Sequence, residues 1–68
     1  SNTKYNRIKT QLAEKEISNR ELAEYLGVTV HTVSRWCTNT GQPSLETLYR
    51  IADYLDINIC ELLVPNKK

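Results

Sequence analysis

The sequence predicts an all-α domain of five short helices, and three observations carry that expectation. Apolar residues recur at spacings of three and four in successive stretches. Residues that start or stop helices (Ser, Thr, Asn, Gly and Pro) fall between those stretches. The composition is rich in Leu, Glu and Lys, with only four valines, which favours helix over strand. With 68 residues, 40% hydrophobic and 25% charged, residues 1–68 read as one globular domain. That length lies near the lower limit at which a single core suffices without a metal or a disulfide.

The first helix is expected to run from a cap at Asn2 or Thr3 to about Lys15, with Tyr5, Ile8 and Leu12 on one apolar face. Ser1-Asn2 reads either as a cleavage scar or as a natural start after Met removal. Lys4, Arg7 and Lys9 stand near the start of this helix, where the macrodipole prefers acids. They serve either an external anion such as phosphate or simply a solvated basic face. Glu14, Lys15 and Glu16 end the helix, and Ile17 plugs the core.

The second and third helices form the most specific stretch, Asn19 to Asn39, NRELAEYLGVTVHTVSRWCTN. Ser18 caps the first half and Leu22, Ala23 and Leu26 form its inner side. Gly27 leaves the helix at positive φ without a side-chain penalty. Thr29 then caps a helix running from Val30 to about Thr38, which ends at Asn39, the next residue tolerant of the left-handed conformation. Counted from Asn19, apolar residues occupy positions four, eight, ten, fifteen and eighteen (Leu22, Leu26, Val28, Val33, Trp36). Small Ala23 falls fifth, where two helices cross closely, and Gly27 falls ninth, in the turn. Two short helices joined by such a turn make a helix-turn-helix, whose second helix enters a DNA major groove. The plainer alternative is a tight helical hairpin in another small bundle.

Thr40-Gly41-Gln42-Pro43 is a loop, and Ser44 caps a fourth helix whose buried stripe is Leu45, Leu48, Ile51, Ala52 and Leu55. Asp56 and Ile57 turn the chain. Asn58 caps a last helix from Ile59 to Leu63, and residues 66–68 are a tail.

Net charge is only +1, yet no carboxylate lies between Glu24 and Glu46, a segment that contains His31 and Arg35. A surface that approaches phosphates must avoid negative charge, and this one does. Two cysteines, Cys37 and Cys60, read as free thiols, and one His with two Cys lacks zinc-ligand spacing. No run approaches the ~20 apolar residues that cross a bilayer, and no signal-peptide pattern opens the chain, so a cytoplasmic location is expected. No acid–base pair, nucleophile triad, phosphate loop or metal cluster is present, so neither an enzyme nor a cofactor is expected.

SNRELAEYLGVTVHTVSRW followed by PSLETLYRIADYLDINICELL resembles the Cro/phage-repressor (xenobiotic-response-element type) helix-turn-helix family of bacterial transcription regulators over nearly the whole chain. WCTNTGQPSLETL is similar to a subgroup of bacterial regulators in that family. The resemblance implies a five-helix, lambda-repressor-like domain that binds operator DNA, usually as a dimer. Two departures stand out. Where family members pair a Glu after the equivalent of Trp36 with an Arg on the first helix, this chain has Cys37 and Leu12, so an apolar contact replaces the pair. The Gln residues common at DNA contacts are also missing. Asn19 stands in one such place, and Val30 and His31 open the recognition helix.

In this geometry Val30, His31, Ser34 and Arg35 face base edges. Arg35 can bond O6 and N7 of one guanine, His31 is either a donor to N7 or O6 or an idle surface histidine, Val30 suits a thymine methyl, and Ser34 lets the backbone approach. Ser18, Asn19, Arg20, Thr29 and Thr32 lie near helix starts that face phosphates, while Thr38, Asn39, Thr40 and Gln42 follow the recognition helix toward the next phosphates. Trp36 reads as core rather than as a stacking platform.

A sequence-specific transcription regulator, most simply a repressor on a palindromic operator, is the leading reading. An antitoxin-type or other protein-interaction module is the rival, and a bundle without DNA contact is a third. Ile57, Ile59, Leu62, Leu63 and Val64 exceed what a short terminal helix can bury. They either form a homodimer contact, where the resemblance places one, or fold back onto Tyr5 and Ile8 in a monomer.

Overall fold

Four α-helices and one 3₁₀ turn follow one another: α1 (Ile8–Glu14), α2 (Asn19–Leu26), α3 (Val30–Cys37), α4 (Leu45–Leu55) and the 3₁₀ turn Ile59–Leu62. They are seen in a computed structural model that describes residues 3–67. Asn2, expected as a cap, lies outside the described residues with Ser1 and Lys68. Among the described residues the one β pairing is an isolated antiparallel bridge between Asn6 and Leu63. Among the described residues no helix is long and apolar enough to cross a membrane.

Helix starts follow local chemistry. The hydroxyls of Ser18, Thr29 and Ser44 accept the N–H groups of Glu21, Thr32 and Thr47 respectively. Glu21 returns a bond to the Ser18 N–H, completing a capping box. Helix ends follow one pattern throughout. The N–H groups of Ile17, Val28, Thr40 and Ile57 each bond the carbonyl five residues back, on Leu12, Ala23, Arg35 and Ala52. Each end passes through a left-handed residue: Glu16, Gly27, Asn39 and Asp56. This is the Schellman closure, and here only one of its four left-handed positions is glycine.

Ile8, Leu12, Leu22, Ala23, Leu26, Val33, Trp36, Leu48, Ile51, Ala52, Leu55 and Leu62 make one core. Ile8, Leu22, Val33, Ile51 and Leu62 are the largest of its fully buried side chains, each stabilising the fold by about 1.5–3 kcal/mol. Two residues expected inside are at the surface. Val28 is 37% exposed, because the α2–α3 turn ties down its backbone N–H and leaves its side chain at the rim. Leu45 is 66% exposed. It is the first residue of α4, a full turn before Leu48, and extends past the end of the core stripe.

The first and last helices are shorter than the apolar spacing suggests. Residues 5–7 do not join α1, because their backbone is bonded elsewhere. Arg7 N–H donates to the Leu62 carbonyl (2.8 Å) and Val64 N–H to the Tyr5 carbonyl (3.0 Å). Tyr5 is therefore 60% exposed instead of lying on the apolar face of α1. The same pairing ends the expected fifth helix after a single 3₁₀ turn. Leu63 takes an extended backbone to meet Asn6, so the described residues form four α-helices where five helices were expected.

Asn6 holds this closure together. It is only 5% exposed. Its Oδ1 accepts the Ile8 N–H (3.0 Å), and its Nδ2 donates to the Trp36 carbonyl (3.0 Å) and to Gln42 Oε1 (2.7 Å). Asn39 Oδ1 accepts the N–H groups of Tyr5 and Asn6 and an N–H from Gln42, while its Nδ2 donates to the Asn6 carbonyl. The N-terminal segment is thus bonded across the end of α3.

Truncating Trp36 to Ala empties a large part of the core and is expected to cost about 3–5 kcal/mol, which chemical denaturation would read as loss of the folded baseline. Asn6→Ala removes no apolar contact but strands the buried Ile8 N–H and takes from the Trp36 carbonyl one of its two donors, leaving the Asn39 N–H. It should lower stability by about 1–3 kcal/mol, and a value within error of wild type would show the network to be dispensable.

Candidate nucleic-acid interface

Val30, His31, Ser34 and Arg35 share one side of α3, as residues spaced by one, four and five must on a helix. Val33 and Trp36 occupy the opposite side, at 0% and 8% exposure. Val30, His31 and Arg35 are exposed and Ser34 is half-buried. Arg35 leans toward the loop after its helix. Its Nη2 donates to the Thr40 carbonyl (3.2 Å), and its guanidinium lies 3.5 Å from the place a side chain on Gly41 would take. Releasing one such exposed bond costs about 0.5–1.5 kcal/mol. That is small against what a guanidinium gains on a guanine edge, about 1–3 kcal/mol.

The candidates near the helix starts divide by what their polar atoms already do. Ser18 and Thr29 accept capping bonds, and the Thr29 and Thr32 hydroxyls bond each other at 2.9 Å. Arg20 is exposed in the first turn of α2. The first backbone N–H groups of α2 and α3 have no intrahelical acceptor, as at any helix start. Asn19 is half-buried and its Oδ1 accepts from Cys37 Sγ at 3.6 Å, which leaves the amide NH₂ as its donating end.

That contact also shows what stands at the departure noted in the sequence. Cys37 is half-buried and packs against the core that includes Leu12. Burial pushes its thiol up from the ordinary value, against an opposing effect of the Lys9 ammonium. It stays protonated and donates to Asn19, so a polar tie between the end of α3 and the start of α2 accompanies the apolar packing.

After α3, the Thr38 hydroxyl faces the carbonyls of Ser34 and Arg35, and the Thr40 hydroxyl faces that of Arg35. Asn39 and Gln42 belong to the Asn6 network. These four residues shape the end of α3 with the same groups that a phosphate would use. The sequence reading missed two things here. Asn6 lies some thirty residues from its partners, with no local signal beyond an Asn two residues before an apolar helix start. Lys4, Arg7 and Lys9 come to lie beside the end of α3, which their position in the chain does not reveal. Among the described residues no group of three His, Cys, Asp or Glu could hold a metal ion.

The model of the Cro/C1-type HTH DNA-binding domain matches residues 7–68. A crystal structure titled "a putative DNA-binding protein from Bacteroides fragilis" superposes with a TM-score of 0.86 at 47% identity, covering 87% of this chain and 95% of that one. No curated protein matches. Four helices in this order, a capped and acid-free third helix and the match over residues 7–68 agree: the chain belongs to the Cro/C1-type helix-turn-helix DNA-binding domain family.

Proposed function

We propose that this protein is a sequence-specific DNA-binding transcription regulator that acts as a repressor by laying α3 in the major groove of its operator. The observation that carries this reading is the outer face of α3. It offers an apolar side chain, an imidazole, a hydroxyl and a guanidinium on a rigidly anchored helix, within a segment of the chain (residues 25–45) that has no carboxylate. Val30 meets a thymine methyl, His31 and Arg35 donate to purine edges, and Ser34 permits close approach. Ser18, Asn19, Arg20, Thr29 and Thr32 hold one stretch of backbone, with Thr38 and Thr40 on the next. Asn39 and Gln42 contribute chiefly by fixing that second group in place.

Selection of bound sequences from a random duplex pool tests the reading directly. Arg35→Ala should lose about 1–3 kcal/mol of discrimination at one base pair while the fold is unchanged. An identical preferred sequence would remove Arg35 from the base readers. The rival reading, a protein-interaction module, draws on Leu45 and Tyr49, which are 66% and 54% exposed one turn apart on α4. It gains ground if the pool yields no enriched sequence.

The assembly we propose is a homodimer, weak in solution and firm on a palindromic site, with the two α3 helices ~34 Å apart. Leu62 is buried and Ile57 and Ile59 pack on the core, but Leu63 and Val64 remain 38% and 40% exposed beside Tyr5. Those three side chains form the contact. Sedimentation with and without a palindromic duplex should give two protomers per duplex for wild type and weaker pairing for Leu63→Asp. One protomer per palindrome at saturation would rule the dimer out.

A further inference from the structure

A cleft of about 390 Å³ opens between the N-terminal segment, α1 and the end of α3. Lys4, Arg7 and Lys9 line it, together with Thr10, Thr38 and Asn39, and none of its lining residues among those described is acidic. We propose that this cleft seats the sugar-phosphate backbone of the bound DNA, with Lys4, Arg7 and Lys9 as its charged wall and the hydroxyls of Thr10 and Thr38 at its edge. The inference rests on the DNA-binding reading above and extends it to three cations that lie outside the helix-turn-helix.

Three features favour a phosphodiester over solvent alone. Like charges gathered without a carboxylate raise the energy of the free domain and lower that of a bound anion. The segment that carries Lys4 and Arg7 is held in place before any ligand arrives. Tyr5 and Asn6 donate to Asn39, and Tyr5 and Arg7 are bonded to Val64 and Leu62, so the cations keep a fixed position relative to α3. The cleft is also continuous with the candidate interface, because Thr38 and Asn39 both follow the recognition helix and line the cavity. A duplex docked on α3 therefore brings its backbone past this wall. The same arrangement accounts for DNA affinity in a chain whose net charge is only +1: its basic groups are concentrated where the polyanion passes.

The test is the salt dependence of binding to a duplex of unselected sequence, read by fluorescence anisotropy. Wild type is compared with the Lys4→Gln, Arg7→Gln, Lys9→Gln triple variant and with Lys15→Gln, which removes a cation outside the cleft. All four positions are exposed, and circular dichroism verifies that the variants fold. Each lost phosphate contact should reduce the slope of log K against log salt by about 1, so the triple variant is expected to fall by about 2 or more and Lys15→Gln to change little. The base preference of the triple variant should match wild type. A wild-type slope in the triple variant overturns the cleft alone, as does an equal loss per charge in Lys15→Gln. If inorganic phosphate shifts the cleft amides in NMR spectra while the triple variant keeps the wild-type slope, the cleft serves a free anion and the DNA assignment is wrong. If wild type binds no duplex at any salt, the DNA-binding reading falls and the cleft with it.

Discussion

Burying an amide costs several kcal/mol unless its donors and acceptors find partners, and the Asn6 side chain finds all of them. Its oxygen takes the Ile8 N–H at the start of α1, and its NH₂ reaches the Trp36 carbonyl at the end of α3 and the Gln42 side chain in the loop before α4. The start of α1 is thereby set against a stretch some thirty residues on, the end of α3 and the loop after it, through one residue. Burial of apolar area is non-directional, whereas a hydrogen-bond set of this kind is satisfied in one arrangement only. It is what gives the end of α3 a defined place.

From that fixed end the character of the binding face follows. Trp36 anchors α3 inward while its backbone carbonyl is bonded to Asn6, so the helix is held by both packing and polarity. At the other end Thr29 caps it without any charged group, leaving a start that suits a polyanion. Cys37 keeps the end of α3 free of negative charge and supplies a neutral tie to Asn19. The third helix and the loop after it carry few charges, and no carboxylate lies among residues 25–45.

The parts of the fold that were legible in advance are those governed by nearest neighbours in sequence. The bounds of α2, the start of α3 and α4, and the left-handed turns at Gly27 and Asn39 all follow from caps and turn residues within four positions. The start of α1 and the collapse of the fifth helix into one turn were not legible, because the pairing of residues 5–7 with 62–64 is a tertiary event. Left-handed Glu16 and Asp56 were missed for a related reason. Neither residue type advertises that conformation as Gly or Asn does, and each is held there by the closure of its helix. For the interface, the face of α3 was legible from helical spacing. The internal commitments of Asn39 and Gln42, and the gathering of Lys4, Arg7 and Lys9 in one cleft, required the fold.

The pairing of the two chain ends has a consequence for motion. Most contacts here are local, as in fast-folding helical domains, but the bonds joining residues 5–7 to 62–64 close a loop of nearly the whole chain. Such a closure fixes the ends of a loop of that length, and parting it draws the buried Leu62 out of the core. Because Asn39 accepts from Tyr5 and Asn6, every such opening also releases the terminus of the recognition helix. The ends of the chain thus act as a clasp, and the end of α3 is held as firmly as that clasp is closed.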